Sequence, residues 1–169
     1  ALEYAENALL DALGYAPTLL EQRMPLAALD LCRDMQPADV AALAEVLRPR
    51  TLARGERLFA AGDSGTELYL VLRGRVDIRL PVTADRHKRL AIHGPGTGFG
   101  ELAFLDPGPR AAEAVATKPC ELLVLNRADF NQLKEARPDA AIALLLALGR
   151  LQSRTLRWSA KEIQRLIQW

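Results

Sequence analysis

The sequence of 169 residues contains few of the cysteines, histidines and long apolar stretches that a disulfide framework, a metal site or a membrane span requires. It contains two cysteines and two histidines, too few for a disulfide-stabilised mini-protein, and no metal site is predicted. Cys32 and Cys120 are interpreted as small buried hydrophobic residues of a protein in a reducing compartment, so a cytoplasmic location is expected. The longest uncharged apolar stretch, residues 140–149, has about half the length that a membrane-spanning helix needs. Neither a membrane span nor a signal peptide is therefore expected.

The sequence also lacks an excess of charge of either sign. Its 22 lysine and arginine residues are balanced by 21 aspartate and glutamate residues, which gives a net charge of +1. A polybasic nucleic-acid arm is excluded, and no nucleic-acid partner is expected. Half of the residues are hydrophobic and a quarter are charged, as is typical of a folded domain with a well-filled core.

Hydrophobic periodicity divides the chain into three segments. Residues 1–49 and residues 127–169 have helical spacing, with apolar residues recurring every three or four positions. Between them, residues 50–126 alternate with a period close to two and are interrupted by glycines. Short strands with regular glycine turns are typical of a small barrel or jelly roll. The predicted fold class is therefore α+β, an antiparallel β-roll between N-terminal helices and a long C-terminal helix.

Local signals predict the bounds of several elements. Helices are predicted over residues 1–13, from Pro37 to Pro49, from Asn126 and from Pro138. Strands are predicted over residues 67–73, 75–80, 89–93, 110–118 and 120–126. The polar residues 81–88 are predicted to form a hairpin loop.

The terminal helix carries a basic stripe and several leucines. Its basic residues follow at steps of three or four and are Arg150, Arg154, Arg157, Lys161 and Arg165. For such a stripe, a solvated face is favoured over an anionic partner site. The leucines are Leu144, Leu145, Leu148 and Leu151. They fit either a dimer interface or packing against the roll.

Residues 99–115 combine a carboxylate, neighbouring glycines and an arginine. Glycines at positions 94, 96, 98 and 100 precede Glu101 and allow the backbone to approach a ligand closely. After an eight-residue connector, Arg110 presents a guanidinium fork suited to phosphate oxygens. A carboxylate in such a site is better explained by a neutral donor, such as a ribose hydroxyl. A phosphate and a ribose hydroxyl in one small cavity indicate a nucleotide whose phosphate folds back on its sugar.

Three ordered motifs in this sequence resemble the cyclic nucleotide-binding domain family. They lie at residues 54–63, 68–76 and 99–115, and the resemblance extends over most of the chain. It implies an eight-stranded β-roll, a short cassette helix over residues 100–105 and terminal helices that respond to ligand. A cyclic nucleotide is the ligand that it implies, with no metal.

The resemblance also assigns roles to individual residues. By position, Glu101 matches the glutamate that holds the ribose 2′-hydroxyl, and Arg110 matches the arginine that neutralises the cyclic phosphate. The other ligand-binding residues that it implies are Phe99, Gly100, Leu102, Ala111 and Ala112. Alanine at position 111 favours cAMP over cGMP, because family members with threonine or serine there tend to prefer cGMP. The candidates for closing over the base are Arg154, Arg157 and Trp158.

One residue of this segment departs from the family, and one alternative remains open. Glu113 stands where many members have threonine or a small residue, and it is expected to face away from the pocket. Alternatively, Glu101 and Arg110 neutralise each other in a domain without a ligand. Ligand binding is favoured over this ion pair, because two opposite charges in a small-residue pocket are costly unless something pairs with both.

No enzymatic activity is expected, since neither His87 nor His93 lies in a recognisable nucleophile motif. Residues 1–10 resemble the tract that joins a STAS domain to a C-terminal cyclic nucleotide module in bacterial sulfate-permease-like proteins, an arrangement also found in some glutaminases. This resemblance implies a regulatory module of a larger protein, such as the cytoplasmic tail of a transporter. The alternatives are a ligand-free interaction domain and the sensor part of a truncated catabolite-activator-type transcription regulator. The expected mechanism is a population shift in which ligand changes how the terminal helices dock.

Overall fold

The computed structural model describes residues 22–83 and 86–167 of the chain. The helices are α1 (Pro37–Val46), α2 (Glu101–Leu105), α3 (Arg127–Ala136) and α4 (Pro138–Ile167), with a short 3-10 helix at Leu26–Ala28. The strands are β1 (Arg48–Leu52), β2 (Arg57–Phe59), β3 (Ser64–Gly65), β4 (Leu68–Arg73), β5 (Val76–Thr83), β6 (Arg86–His93), β7 (Gly98–Phe99), β8 (Gly108–Pro109), β9 (Glu113–Ala116) and β10 (Cys120–Leu125). The predicted α+β class with a long C-terminal helix is confirmed. The helix predicted over residues 1–13 lies outside the described residues.

The strands form two larger antiparallel sheets and one short pair. The first sheet has the order β1-β10-β4-β7 and the second has the order β2-β9-β5-β6. Eight strands were expected from the resemblance, and eight lie in these two four-stranded sheets. The two-residue strands β3 and β8 make an additional pair, here called the clip, in which Gly65 lies opposite Gly108. The clip holds the loop before β4 against the residues that precede Arg110.

Strand β4 separates two hydrophobic cores. Its residues Leu68, Leu70 and Leu72 pack on the helical side, whereas Tyr69 and Val71 face the interior of the roll. Because both faces of this strand are buried, its sequence is a continuous apolar run. The helical side also contains Leu29, Leu43, Phe104, Phe130, Leu144 and Leu148. The cassette helix α2 and the terminal helix α4 therefore contribute to one shared core.

The prediction of a hairpin loop over residues 81–88 is wrong. Strand β5 continues to Thr83, β6 begins at Arg86, and Pro81 lies opposite His87 within the ladder. The side chains at this end of the hairpin are exposed, so they are as polar as those of a loop. The polar composition of residues 81–83 and 86–88 is therefore a consequence of their exposure to water, and it does not indicate a loop backbone.

Two further boundaries differ from the predictions. Helix α1 ends at Val46, and Pro49 lies in β1 at the edge of its sheet, where a missing N–H is tolerated. The strand predicted over residues 110–118 covers only Glu113–Ala116. It starts late because the Arg110 backbone bonds to the loop before the clip: its N–H donates to the Asp63 carbonyl, and its carbonyl accepts from the Gly62 N–H, both at 2.8 Å.

The two helix starts predicted after the roll are confirmed. The Asn126 side chain accepts a hydrogen bond from the Asp129 N–H at 2.8 Å and so caps α3, and α4 begins at Pro138. The buried Asp129 carboxylate also accepts two hydrogen bonds from Arg48, each 2.6 Å long. This contact holds the pKa of Asp129 below its usual value, and it fastens α3 to β1.

Within residues 22–83 and 86–167, no helix combines the length and the apolar character that crossing a membrane demands.

Candidate functional site

A cavity of about 680 Å³ lies between the roll, the cassette helix α2 and the middle of α4. All seven residues that the sequence assigned to ligand binding line this cavity: Phe99, Gly100, Glu101, Leu102, Arg110, Ala111 and Ala112. The volume falls within the range of small-molecule sites, roughly 300–1,000 Å³. The cavity is therefore the candidate functional site.

Gly100 shapes the entry to the cassette helix. It precedes Glu101 at the start of α2 with φ +85°, a left-handed conformation that L side chains rarely adopt. A Cβ at this position would lie 2.7 Å from the Glu67 carbonyl oxygen and 3.0 Å from Nη1 of Arg110. A glycine is thus required here both by the backbone angle and by the close approach of Arg110.

Helix α2 is anchored to α3 at its other end. Phe104 is fully buried and meets the ring of Phe130 edge-on, with ring centroids 5.4 Å apart. Arg127, the first residue of α3, donates a hydrogen bond from Nη2 to the Phe104 carbonyl oxygen. These two contacts join the cassette helix to α3.

Arg110 is the most completely enclosed cation in the cavity lining. Its side chain is 4% exposed, and its guanidinium carbon lies 4.4 Å from the centroid of the Phe59 ring and 5.6 Å from that of Tyr69. Nη1 donates to the carbonyl oxygens of Glu67 and Gly100 at 3.2 and 3.3 Å. Nη2 donates to the Glu67 carbonyl at 3.2 Å. Nε is buried and has no hydrogen-bond partner within the described residues.

Glu67 is a site residue that the sequence analysis missed. Its Oε2 accepts a hydrogen bond from Nη2 of Arg110 at 2.7 Å and another from the Thr66 N–H at 3.0 Å. The clip creates this contact by bringing together residues that are 43 positions apart. No spacing signal in the sequence points to it, because the pairing depends on how β3 and β8 meet.

Glu101 is held by the terminal helix. Its Oε1 accepts a hydrogen bond from Nε2 of Gln152 at 2.8 Å. Gln152 is a second residue that the sequence analysis missed, although Leu148, Leu151 and Thr155 of the same helix face line the cavity. Their helical spacing is the signal that could have identified this face of α4 as part of the site.

The ion pair between Glu101 and Arg110 that the ligand-free alternative requires is not formed. Within the described residues, the ion-pair partner of Arg110 is Glu67, and the hydrogen-bond partner of the Glu101 carboxylate is Gln152. The two predicted ligand-binding charges therefore line one cavity while each is bonded to another residue.

The candidates for closing over the base are placed differently from one another. Arg154 lines the cavity and is exposed. Arg157 is exposed and lies outside the lining formed by the described residues. Trp158 lies in α4, but its side chain is outside the described part of the structure.

The basic stripe of α4 lies on an exposed face along its whole length, as the solvated-face interpretation predicts. One member, Arg150, also borders the cavity and is 3.3 Å from the Asp34 carboxylate. The leucines lie in three different surroundings. Leu144 and Leu148 are fully buried against the roll, Leu151 lines the cavity, and Leu145 is exposed.

Glu113 faces away from the cavity, as predicted. Its neighbour Ala112 lines the cavity, whereas the Glu113 carboxylate lies 3.3 Å from Arg79, 3.3 Å from His87 and 3.9 Å from Arg57. It is nevertheless buried, with these three side chains around it. No second carboxylate is added to the cavity at this position.

The remaining candidates fit structural roles. His93 lines the cavity beside Phe99, with ring centroids 5.2 Å apart, and burial lowers its pKa to about 4. Both cysteines are buried, and burial raises the pKa of the Cys32 thiol to about 11. In the part of the chain that the structure describes, no group of three or more His, Cys, Asp or Glu side chains is placed to hold a metal ion.

Comparison with known proteins adds the evidence of relationship. The family model for the cyclic nucleotide-binding domain matches residues 49–137. The CRP-like cAMP-activated global transcriptional regulator of Mycobacterium tuberculosis is 33% identical over 130 residues, which are 77% of this chain and 58% of that protein. The crystal structure of the Thermus thermophilus catabolite activator protein has a TM-score of 0.71 and 34% identity, and covers 81% of this chain and 62% of that chain.

A third relative is an enzyme. Glutaminase 2 of Bradyrhizobium diazoefficiens is 28% identical over 156 residues, which are 92% of this chain and 24% of that protein. The chain also spans only a little over half of the curated regulators that it matches, 58% and 56% of their lengths. It thus matches a part of each of these proteins.

Proposed function

Since the chain belongs to the cyclic nucleotide-binding domain family, we propose that it is a regulatory module whose cavity binds a cyclic nucleotide, cAMP in preference to cGMP. One observation carries the proposal. Arg110 is enclosed in the cavity lining, and its Nε has no hydrogen-bond partner among residues 22–83 and 86–167. A buried donor without a partner is costly unless a ligand satisfies it. The cyclic phosphate is an acceptor of the right charge for this position.

The other lining residues support the remaining parts of such a ligand. Glu101 accepts a hydrogen bond from Gln152 through Oε1, and its other oxygen, Oε2, is the proposed acceptor for the ribose 2′-hydroxyl. Ala111 and Ala112 offer small side chains that leave room for a bulky ligand. Ala111 has no hydroxyl with which to bind guanine, which favours cAMP. The cAMP activation named for the Mycobacterium tuberculosis regulator supports the same ligand.

The proposed regulatory mechanism is a population shift that begins at the cassette helix. Two hydrogen bonds link that helix to the terminal helices: Gln152 of α4 bonds to Glu101, and Arg127 of α3 bonds to the Phe104 carbonyl. A ligand that binds Glu101 and Arg110 alters the balance of these contacts and so biases the docking of α3 and α4. Among the base-cap candidates, Arg154 has the best support because it already borders the cavity.

We further propose that the module serves a larger cytoplasmic or membrane-attached protein. The glutaminase match covers nearly all of this chain but only 24% of the enzyme, as expected for a module that can be joined to different partners. The STAS-linked transporter remains the proposed parent on the resemblance of residues 1–10. The module itself is proposed to bind ligand and not to catalyse a reaction.

The exposed face of α4 supports a second copy of the chain as a partner. Its exposed apolar residues are Ile142, Leu145, Leu146, Leu156 and Ile163, and such a stripe is suited to a helix–helix contact. Sedimentation equilibrium tests this proposal. A monomer at all concentrations up to the millimolar range would contradict it.

Isothermal titration calorimetry with cAMP and cGMP tests the ligand assignment. We expect wild type to bind cAMP more tightly than cGMP, and Arg110→Ala to lose about 2–5 kcal/mol of binding free energy, because it removes a buried charge that pairs with the phosphate. Arg73→Ala is the matched control, since Arg73 pairs with Glu121 outside the cavity. Failure of the folded wild type to bind either nucleotide would refute the proposal and favour an interaction domain without a ligand.

A further inference from the structure

The arginine that the proposed function assigns to the phosphate is already bonded to a carboxylate, that of Glu67. Nη2 of Arg110 and Oε2 of Glu67 are 2.7 Å apart, the shortest of the four hydrogen bonds between the guanidinium and the described residues. The other three contacts are to backbone carbonyl oxygens of Glu67 and Gly100. The Glu67 carboxylate is therefore an anion bonded to the same guanidinium group to which the proposed function assigns the phosphate.

The charges of Arg110, Glu67 and Glu101 make this arrangement unfavourable for an anionic ligand at Arg110. Arg110 contributes one positive charge, and Glu67 and Glu101 contribute two negative charges, so these three side chains sum to −1 when both carboxyls are ionised. A cyclic phosphate adds a further negative charge next to Arg110. Two anions that share one cation repel each other, although the partial exposure of Glu67 weakens this repulsion.

The two partners of this pair differ in their freedom to move. The Arg110 side chain is 4% exposed, whereas the Glu67 side chain is 35% exposed. Arg110 is also held by the carbonyl oxygens, by the Phe59 ring and by its own backbone bonds to Gly62 and Asp63. Release of the Glu67 carboxylate into water therefore leaves Arg110 in place.

We propose that Glu67 is an internal competitor of the ligand, whose carboxylate occupies Arg110 until the phosphate replaces it and thereby lowers the affinity of the site. This inference rests on the proposed function, because it concerns the same subsite. It makes Glu67 an affinity-determining residue that acts through Arg110.

The test uses two variants that distinguish competition from positioning. Glu67→Gln and Glu67→Ala both remove the charge, but only glutamine keeps an oxygen that can accept from Arg110. Competition predicts that both variants bind cAMP about tenfold more tightly than wild type, as expected when a partly exposed charge next to the ligand is removed. If Glu67 instead positions Arg110, Glu67→Ala weakens binding and Glu67→Gln weakens it less.

Glu45→Gln and Glu45→Ala are the matched controls, because Glu45 is exposed on α1 and lies outside the cavity lining. Calorimetry with cAMP is the readout, and thermal melts verify that each variant is folded. Unchanged or weakened binding in both folded Glu67 variants overturns the inference while the proposed function stands. Absence of cyclic nucleotide binding by wild type overturns the proposed function and this inference with it.

Discussion

The hydrogen bond from Gln152 to Glu101 provides a test of how the terminal helix and the ribose subsite are coupled. Nε2 of Gln152 lies 2.8 Å from Oε1 of Glu101, and both side chains are partly buried. Gln152→Ala removes the amide but preserves the helix, because alanine has the best helix propensity. Glu101 then loses the contact that orients its carboxylate towards the proposed position of the ribose.

The size of the effect follows from the chemistry of this bond. A hydrogen bond to a charged group contributes about 1.5–3 kcal/mol, and partial exposure places this one at the lower end. Gln152→Ala should therefore weaken cAMP binding about tenfold. The loss acts through the bond between Glu101 and the ribose 2′-hydroxyl, so binding of 2′-deoxy-cAMP should be nearly unchanged.

Calorimetric titrations of both nucleotides into wild type and variant measure this difference. Ser153→Ala is the matched control, since Ser153 adjoins Gln152 on α4 and is outside the cavity lining. Equal losses for the two nucleotides would show that Gln152 does not act through the ribose. No loss for cAMP would refute the coupling of α4 to Glu101 altogether.

Two further predictions concern the cassette helix and the partly buried His93. Gly100→Ala should lower the melting temperature and the cAMP affinity more than Gly55→Ala does. Both glycines have positive φ, but only a Cβ at position 100 would meet a neighbour, the Glu67 carbonyl oxygen at 2.7 Å. Equal effects of the two substitutions would refute a steric role for this contact. His93 has its pKa lowered to about 4 by burial, so the unfolded chain takes up a proton below about pH 6.5 that the folded chain does not. Urea unfolding should show about 3 kcal/mol of stability lost progressively between about pH 6.5 and about pH 4. In the His93→Gln variant this loss of stability should be absent. If the variant and the wild type lost stability equally over this pH range, the assignment of the loss to His93 would be refuted.

The elements whose sequence signals lie within a few residues of one another were predicted most accurately. The Asn126 cap, the start of α4 at Pro138 and the cassette helix after Gly100 each depend on adjacent backbone geometry. The seven candidate ligand residues also converge on one cavity, as the resemblance to a known family implied. The error at residues 81–88 has a physical cause: an exposed strand and a loop have similar composition, and only the ladder to β6 distinguishes them.

The class of the fold and the candidate residues of the site could be predicted from the sequence, because periodicity, caps, turns and motifs are patterns of residues close together along the chain. The partners of the charged residues in that site depend on the tertiary fold. Arg110 pairs with Glu67, 43 positions earlier, and Glu101 bonds to Gln152, 51 positions later. Both contacts exist because the clip and the docking of α4 bring distant segments within hydrogen-bonding distance. Such pairings depend on the packing of the whole domain, and no local pattern of residues encodes them.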